Sequence, residues 1–255
     1  MTREDISDIL AEWPYDPERN VRRVTGPGGV EQLQVRLPLG IEQYEMDGRP
    51  DGFQPRGMDS WLEYYRVRLD KLPAGERHLS AEDCRRLHEE GLLYYYRYLL
   101  LFQLGDYDRV IRDTVRNLEM LRLIKEHADD EEDSVRIAQY EPYILRMLAS
   151  ARALRVATAE GNFAKACDVL RETRGEIRRL ETVHTPTFDF ERRRSLEVLE
   201  SMINEMTRHT APSETEQLRR RLRAAVEEED YERAARLRDV LRRMERSESA
   251  PPTDG

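Results

Sequence analysis

Cys84 and His88 stand one helical turn apart, a spacing that lets a thiolate and an imidazole reach one metal ion from the same helix face. His78 is near enough along the chain to serve as a third ligand. No carboxylate is specified to complete the set, and three such residues in one span are easily met by chance, so no metal is expected. Asp47 and Asp51, interleaved with Gly48 and Gly52, hint at a calcium loop, yet the remaining ligands of an EF-hand are missing. Turn chemistry accounts for the same residues. Gly26-Pro27-Gly28-Gly29 is not a phosphate loop, because no Lys-Ser/Thr follows it and no helix opens there. His-Glu-x-x-His, Gly-x-Ser-x-Gly and Walker patterns do not occur. His127, His184 and His209 are scattered, and the acidic residues alternate with arginines at i+3 and i+4, as on solvated helix faces. The reading is of a non-enzyme with no catalytic residue, no metal and no cofactor.

Composition narrows the partners as well. A chain of 255 residues, 39% apolar and 36% charged, has the mix of a helical protein with much exposed surface and room for one or two domains plus a terminal hairpin. A net charge of −9 argues against a chain that coats nucleic acid or anionic membrane. Lys71, Lys125 and Lys165 are the only lysines; GC-rich coding explains the dominance of arginine, with bidentate pairing at protein interfaces as the functional alternative. Two cysteines, Cys84 and Cys167, exclude a disulfide-rich scaffold and an all-cysteine zinc site. The acidic start MTREDISDIL has no basic or apolar region of a signal peptide. Gly91 to Leu104, the most apolar window, is too short to span a bilayer and contains Arg97 and Gln103. A cytoplasmic protein off the membrane is expected.

The pattern of apolar residues divides the chain into a front segment over 1–57, a helical body over 58–208, a hairpin over 213–246 and a disordered tail over 247–255. In the front segment Ile6, Ile9, Leu10 and Trp13 make a helical stripe, expected to dock the amino terminus onto the body. From Val21 the period changes to two: Leu33, Val35 and Leu37 point one way, and Gln32, Gln34 and Arg36 the other. A small β-hairpin follows from this, with Ile41 to Met46 continuing the pattern. Helices take over at Ser60, which with Glu63 forms a capping box, as Ser80 does with Asp83. Tyr94, Tyr95, Tyr96 and Tyr98 cannot all face one side of one helix, so some should line a groove or meet the β segment. Asp129 to Asp133 reads as a solvated acidic linker, and Pro142 as a kink or a restart.

Three turns share a pattern. Gly105-Asp106-Tyr107 is followed by Val110-Ile111, Gly161-Asn162-Phe163 by Ala166-Cys167, and Glu229-Asp230-Tyr231 by Ala234-Ala235. In each, an aromatic residue should fill the hinge between antiparallel helices, and small or β-branched residues one turn later let them approach. This is similar to tetratricopeptide-like hairpins without their strict period. The fold class is therefore mainly α: an irregular TPR-like body, a small amino-terminal β-hairpin and a carboxy-terminal pair of helices.

The last pair is the densest pattern. Ser213 and Glu216 read as a capping box, and Leu218, Leu222 and Val226 recur on one face. Glu227 to Asp230 places negative charge where a second helix begins, and Tyr231, Ala234, Ala235, Arg238, Leu241 and Met244 share that helix's face. A single apolar stripe this small is marginal alone and needs a second surface.

The string L-x-x-x-L-x-x-A-V-E-E-E-D-Y-E-x-A-A-x-L-R-D-x-L, from Leu218 to Leu241, resembles the UVR motif. That motif is a helical hairpin at the end of the UvrB repair helicase, within the UvrC nuclease, and in some Clp-type chaperones and adaptors. Leu39 to Gly52 is similar to the front of some bacterial UVR-motif proteins and implies no activity. The resemblance implies a docking element and not a reaction. Leu218, Leu222, Val226, Tyr231, Ala234, Ala235 and Leu241 would carry the docking face, with Arg238 and Asp239 adding polar register. The partner would hold a UVR-type hairpin or be a second copy, and the process would be excision repair or Clp-type proteostasis. A repair accessory that touches DNA directly is the alternative. Against it, the segment from Glu214 to Arg246 holds ten arginines and nine acids, almost neutral, so DNA contact would be weak and salt-sensitive.

Overall fold

The computed structural model describes residues 5–210 and 214–248; within the carboxy-terminal helices, side-chain surroundings are described for Leu218 and for 221–242. The chain divides into two compact units, Met1–Ile203 and Asn204–Gly255. The first unit opens with a short helix α1 (Ser7–Glu12) and a three-stranded antiparallel meander, β1 (Val21–Thr25), β2 (Glu31–Leu37) and β3 (Gly40–Glu45). The expected continuation over Ile41 to Met46 thus becomes the third strand beside the hairpin, with Leu33 opposite Arg23 on one side and Tyr44 on the other. Period-two alternation holds in the middle of β2, where Leu33 and Val35 are buried. It fails at the end. Leu37 is exposed and Arg36 is buried, because the Arg36 guanidinium is spent on backbone carbonyls: Nε donates to Trp13 at 2.8 Å, and Nη1 to Leu37 and Gly40.

The α1 stripe does not dock as expected. Ile6 and Ile9 are more than two-fifths exposed, at 44% and 43%, since a helix of six residues ends before it can present a second apolar turn. Trp13 makes the tie instead, with the Arg22 guanidinium 3.9 Å above its ring.

The helical body comprises α2 (Trp61–Asp70), α3 (Ala81–Gln103), α4 (Tyr107–His127), α5 (Glu131–Ala138), α6 (Glu141–Glu160), α7 (Phe163–Arg179) and α8 (Pro186–Thr210). Helix α4 packs on its sequence neighbour α3 and, past the short α5, on α6, and α6 packs on α7. Capping chemistry places the helix starts. Ser80 Oγ accepts from the Asp83 N–H at 3.3 Å while the Asp83 carboxylate accepts from the Ser80 N–H at 3.2 Å, the reciprocal box. At α2 only half of the expected box forms: Ser60 accepts from the Glu63 N–H, but the Glu63 carboxylate turns to the Asp59 N–H. The acidic stretch from Asp129 is exposed, as expected, through Glu132, but it is not a linker. Asp130 accepts from the Glu132 N–H at 3.0 Å and starts α5, whose first turn holds Glu131, Glu132 and Asp133 where the helix dipole favours them. Pro142 restarts the chain in the first turn of α6.

Sheet and helices share one core. Leu33, Val35, Tyr44 and Met46 meet Tyr98 and Leu101 of α3, Val110 of α4, and Met147 and Ala151 of α6. Buried ions add a second tie. Arg97 has no exposed surface; it grips the Asp113 carboxylate with two bonds of 2.7 and 2.8 Å and donates to the carbonyls of Glu45 and Gly48. Glu90, 1% exposed, accepts from the N–H groups of Trp61 and Leu62 and from Arg49 and Arg116. Each carboxylate is fully bonded, so these are structural clasps between the front segment and α2, α3 and α4.

The second unit contains α9 (Glu214–Glu227) and α10 (Tyr231–Glu248) packed on each other. The expected Ser213 cap lies outside the described residues, as does most of the expected tail; Ser247 and Glu248 close α10.

Candidate functional site

The α9–α10 hairpin is built around its turn. Glu229 donates to the Val226 carbonyl at 3.1 Å and Asp230 to the Ala225 carbonyl at 2.8 Å, the bonds of a Schellman-type helix end. Glu229 takes the left-handed conformation with φ +60°, the place held by Gly105 at φ +73° and Gly161 at φ +62° in the matching turns of the body. Asp230 then caps α10 by accepting from the Arg233 N–H at 3.0 Å, as Asp106 and Asn162 cap α4 and α7. Ala225 and Ala234 are buried where the two helices approach; a larger side chain at either position would hold them apart.

Around that contact the expected docking residues fall into three groups. Ala234 is buried between the helices, and Leu218, Leu222, Ala235 and Leu241 are half-buried. Val226, Tyr231, Arg238 and Asp239 are exposed, with half of Val226 and 69% of Tyr231 open to solvent. Tyr231 therefore does not fill the hinge in the way expected of the aromatic in this turn. Tyr107 does, half-buried with its ring 5.7 Å from Phe102. Arg238 and Asp239 lie 3.4 Å apart and exposed, and Arg233–Glu228 and Arg236–Glu232 are also solvated pairs. The hairpin thus offers an apolar strip with a phenol at one end and a balanced charged margin, which is binding chemistry.

Residues 213–247 match the family model of the UvrB/uvrC motif, UVR. The hairpin is a UVR motif. Such a motif is a protein-interaction element. No curated protein and no solved structure matches the chain.

The other residues with chemical interest settle into structural surroundings. Cys84 is buried with its Sγ 4.0 Å from the Leu79 carbonyl. Burial, aided by the charges of Asp133, Asp83 and Asp129, pushes its thiol up to about 12, far from the thiolate that a metal or an electrophile requires. Burial and the nearby Arg136 lower the pKa of His88. His78 lies exposed, its Nδ1 3.2 Å from Asp129. Among the described residues no cluster of His, Cys, Asp and Glu is placed to hold a metal ion. Asp47 and Asp51 are engaged by arginines, the first by Arg112 and Arg109 and the second by Arg49.

The tyrosines of α3 divide as their spacing requires. Tyr94 and Tyr98 are buried, Tyr96 is half exposed beside β3, and Tyr95 and Tyr98 line a pocket of ≈ 280 Å³ with Tyr140 and Tyr143. Sequence reasoning missed Glu90, Arg97 and Asp113 because charged residues on amphipathic helices read as solvated. The signal was their register: Glu90 and Arg97 continue the face of Cys84, Leu87, Tyr94 and Leu101, all buried.

Proposed function

We propose that the protein is a non-enzymatic adaptor that docks a protein partner through the α9–α10 hairpin. The observation that carries this reading is the open apolar strip of a UVR motif: Val226 and Tyr231 exposed beside half-buried Leu218, Leu222 and Leu241. Large apolar side chains left in water beside a small inter-helix contact favour association with a second apolar surface. UVR motifs occur in UvrB, UvrC and ClpC-type proteins, so the partner we favour carries a matching hairpin and works in repair or Clp-type proteostasis; a second copy of this chain is the other occupant of the same strip. Among the described residues no helix is long and apolar enough to cross a membrane, and we place the action in the cytoplasm.

The test is capture of a partner by the tagged full chain in extract treated with nuclease. Tyr231→Ala combined with Leu222→Asp should abolish capture while the body's circular dichroism stays helical. Tyr231→Ala alone changes an exposed side chain and should weaken capture without affecting helicity. Unchanged capture by both variants would remove the hairpin from the interface. Loss of capture on nuclease treatment, with a salt-dependent shift of labelled DNA, would instead favour direct nucleic-acid contact.

A further inference from the structure

The pocket between α3, α4 and α6 has a chemistry of its own, independent of the hairpin. Tyr95 and Tyr98 from α3 and Tyr140 and Tyr143 from the start of α6 line it, with Glu191 of α8 among the walls. The rings stand at steep angles to one another: Tyr95 meets Tyr98 at 5.6 Å and 88°, and Tyr143 at 5.8 Å and 60°. Such an arrangement presents ring faces from more than one direction, and ring faces carry the negative end of the aromatic quadrupole. Arg146, outside the lining, already stacks on the Tyr143 ring at 4.8 Å, so at least one of these rings takes a guanidinium. The half-buried Glu191 holds the decisive atom. Its Oε2 is buried and has no hydrogen-bond partner among the described residues, in contrast to the fully bonded carboxylates of Glu90 and Asp113 nearby in the fold.

We infer that this pocket receives the side chain of an arginine or lysine from a partner polypeptide, its cationic head reaching Glu191 and its aliphatic stem lying among the tyrosine rings. A carboxylate oxygen removed from water without a donor is costly, and a cation over several phenols is stabilised more as the site is desolvated. The volume, ≈ 280 Å³, falls just below the usual range for metabolite pockets and suits a single long side chain. The opening supports the same occupant: Tyr140 and Leu92 are both 41% exposed, giving a rim on which flanking backbone can rest.

The experiment titrates the full chain, with its tyrosine rings isotope-labelled for NMR, with capped tripeptides that carry arginine, lysine, norleucine or glutamate between two glycines. Arginine or lysine peptides should shift the rings of Tyr95, Tyr98, Tyr140 and Tyr143, and norleucine and glutamate peptides should not. Glu191→Gln should weaken the cationic peptides roughly tenfold, the scale of one charge-assisted bond. Tyr140→Leu, at the exposed rim, should weaken them about three- to fivefold with the fold intact. Equal binding of norleucine, indifference to Glu191→Gln, or no ring shifts at millimolar peptide would overturn the assignment. Tighter binding of free phenethylammonium than of either cationic peptide would also overturn it, by giving the pocket to a small amine.

Discussion

Asp83 shows how much one side chain can be made to hold. Its carboxylate closes the cap of α3 on Ser80 and receives Arg68 Nη2 at 3.0 Å. Burial pushes its pKa up, but the nearby Tyr65 hydroxyl, Arg68 and the Ser80 N–H together outweigh burial and hold it below the usual aspartate value. A depressed folded pKa contributes stability that is fully present above the unfolded pKa and is lost as pH falls through the folded one. Asp83→Asn should therefore lower stability at pH 7 by about 1 kcal/mol, the scale of a lost cap. The gap to wild type should begin to narrow near pH ~4, where the unfolded chain's carboxylate takes up its proton, and close only at lower pH, where the native carboxylate protonates in turn. Urea midpoints across that range read it out, and a gap independent of pH would assign the loss to shape and not to charge. This cap was legible in the sequence as Ser80-x-x-Asp83. The Arg68 contact was not, because nothing local says that the ends of α2 and α3 lie side by side.

At the scale of elements, the recurring turn was legible as a pattern of polar pair, aromatic and small residue, and the structure adds its backbone reason. Gly105, Gly161 and Glu229 occupy the same left-handed position at the end of a helix. Glycine adopts that conformation freely, whereas a residue with a Cβ is strained there by roughly 1–2 kcal/mol. Glu229→Gly should remove the strain at some cost in unfolded-chain entropy, for a net gain near 0.5 kcal/mol in the hairpin. Hydrogen exchange should report it as about twofold slower opening of the α9–α10 amides, and faster exchange would show that the Glu229 side chain matters more than its φ. The same pattern misled at Tyr231, which stays exposed, whereas Tyr107 finds the Phe102 ring across its hinge and Phe163 is half-buried. The charge run Asp129–Asp133 reads correctly as solvated, since Asp129 to Glu132 are exposed, but not as a linker, because it supplies the cap and first turn of α5.

For the molecule as a whole, periodicity placed the helices and the α-rich class, and the motif placed the hairpin, because both are local properties of the chain. The expectation that tyrosines of α3 meet the β segment holds for Tyr98. The ionic tie between front segment and helical body, however, is long-range and escaped the sequence: Arg97 reaches from α3 to Asp113 on α4 and to the carbonyls of Glu45 and Gly48 at the end of β3 and just after it. Removing one partner of a buried pair costs more than the pair itself contributes, since the survivor keeps its charge in a place with no water. Asp113→Asn should accordingly lose about 3–5 kcal/mol, because Arg97, wholly buried, would be left with carbonyls and no anion except the more distant acids. Replacing both with apolar residues, Arg97→Met with Asp113→Leu, removes the charge as well as the bond and should recover most of that loss. The two carbonyls released in the double variant distinguish a stabilising pair from a positioning one. If the pair chiefly fixes where the sheet sits, the double variant regains its urea midpoint while the amides of Glu45 to Gly48 exchange faster than in wild type. If both the midpoint and the exchange return, the ions contribute nothing to placement, and the shared core of Leu33, Val35, Tyr98 and Met147 is enough to seat the sheet on the helices.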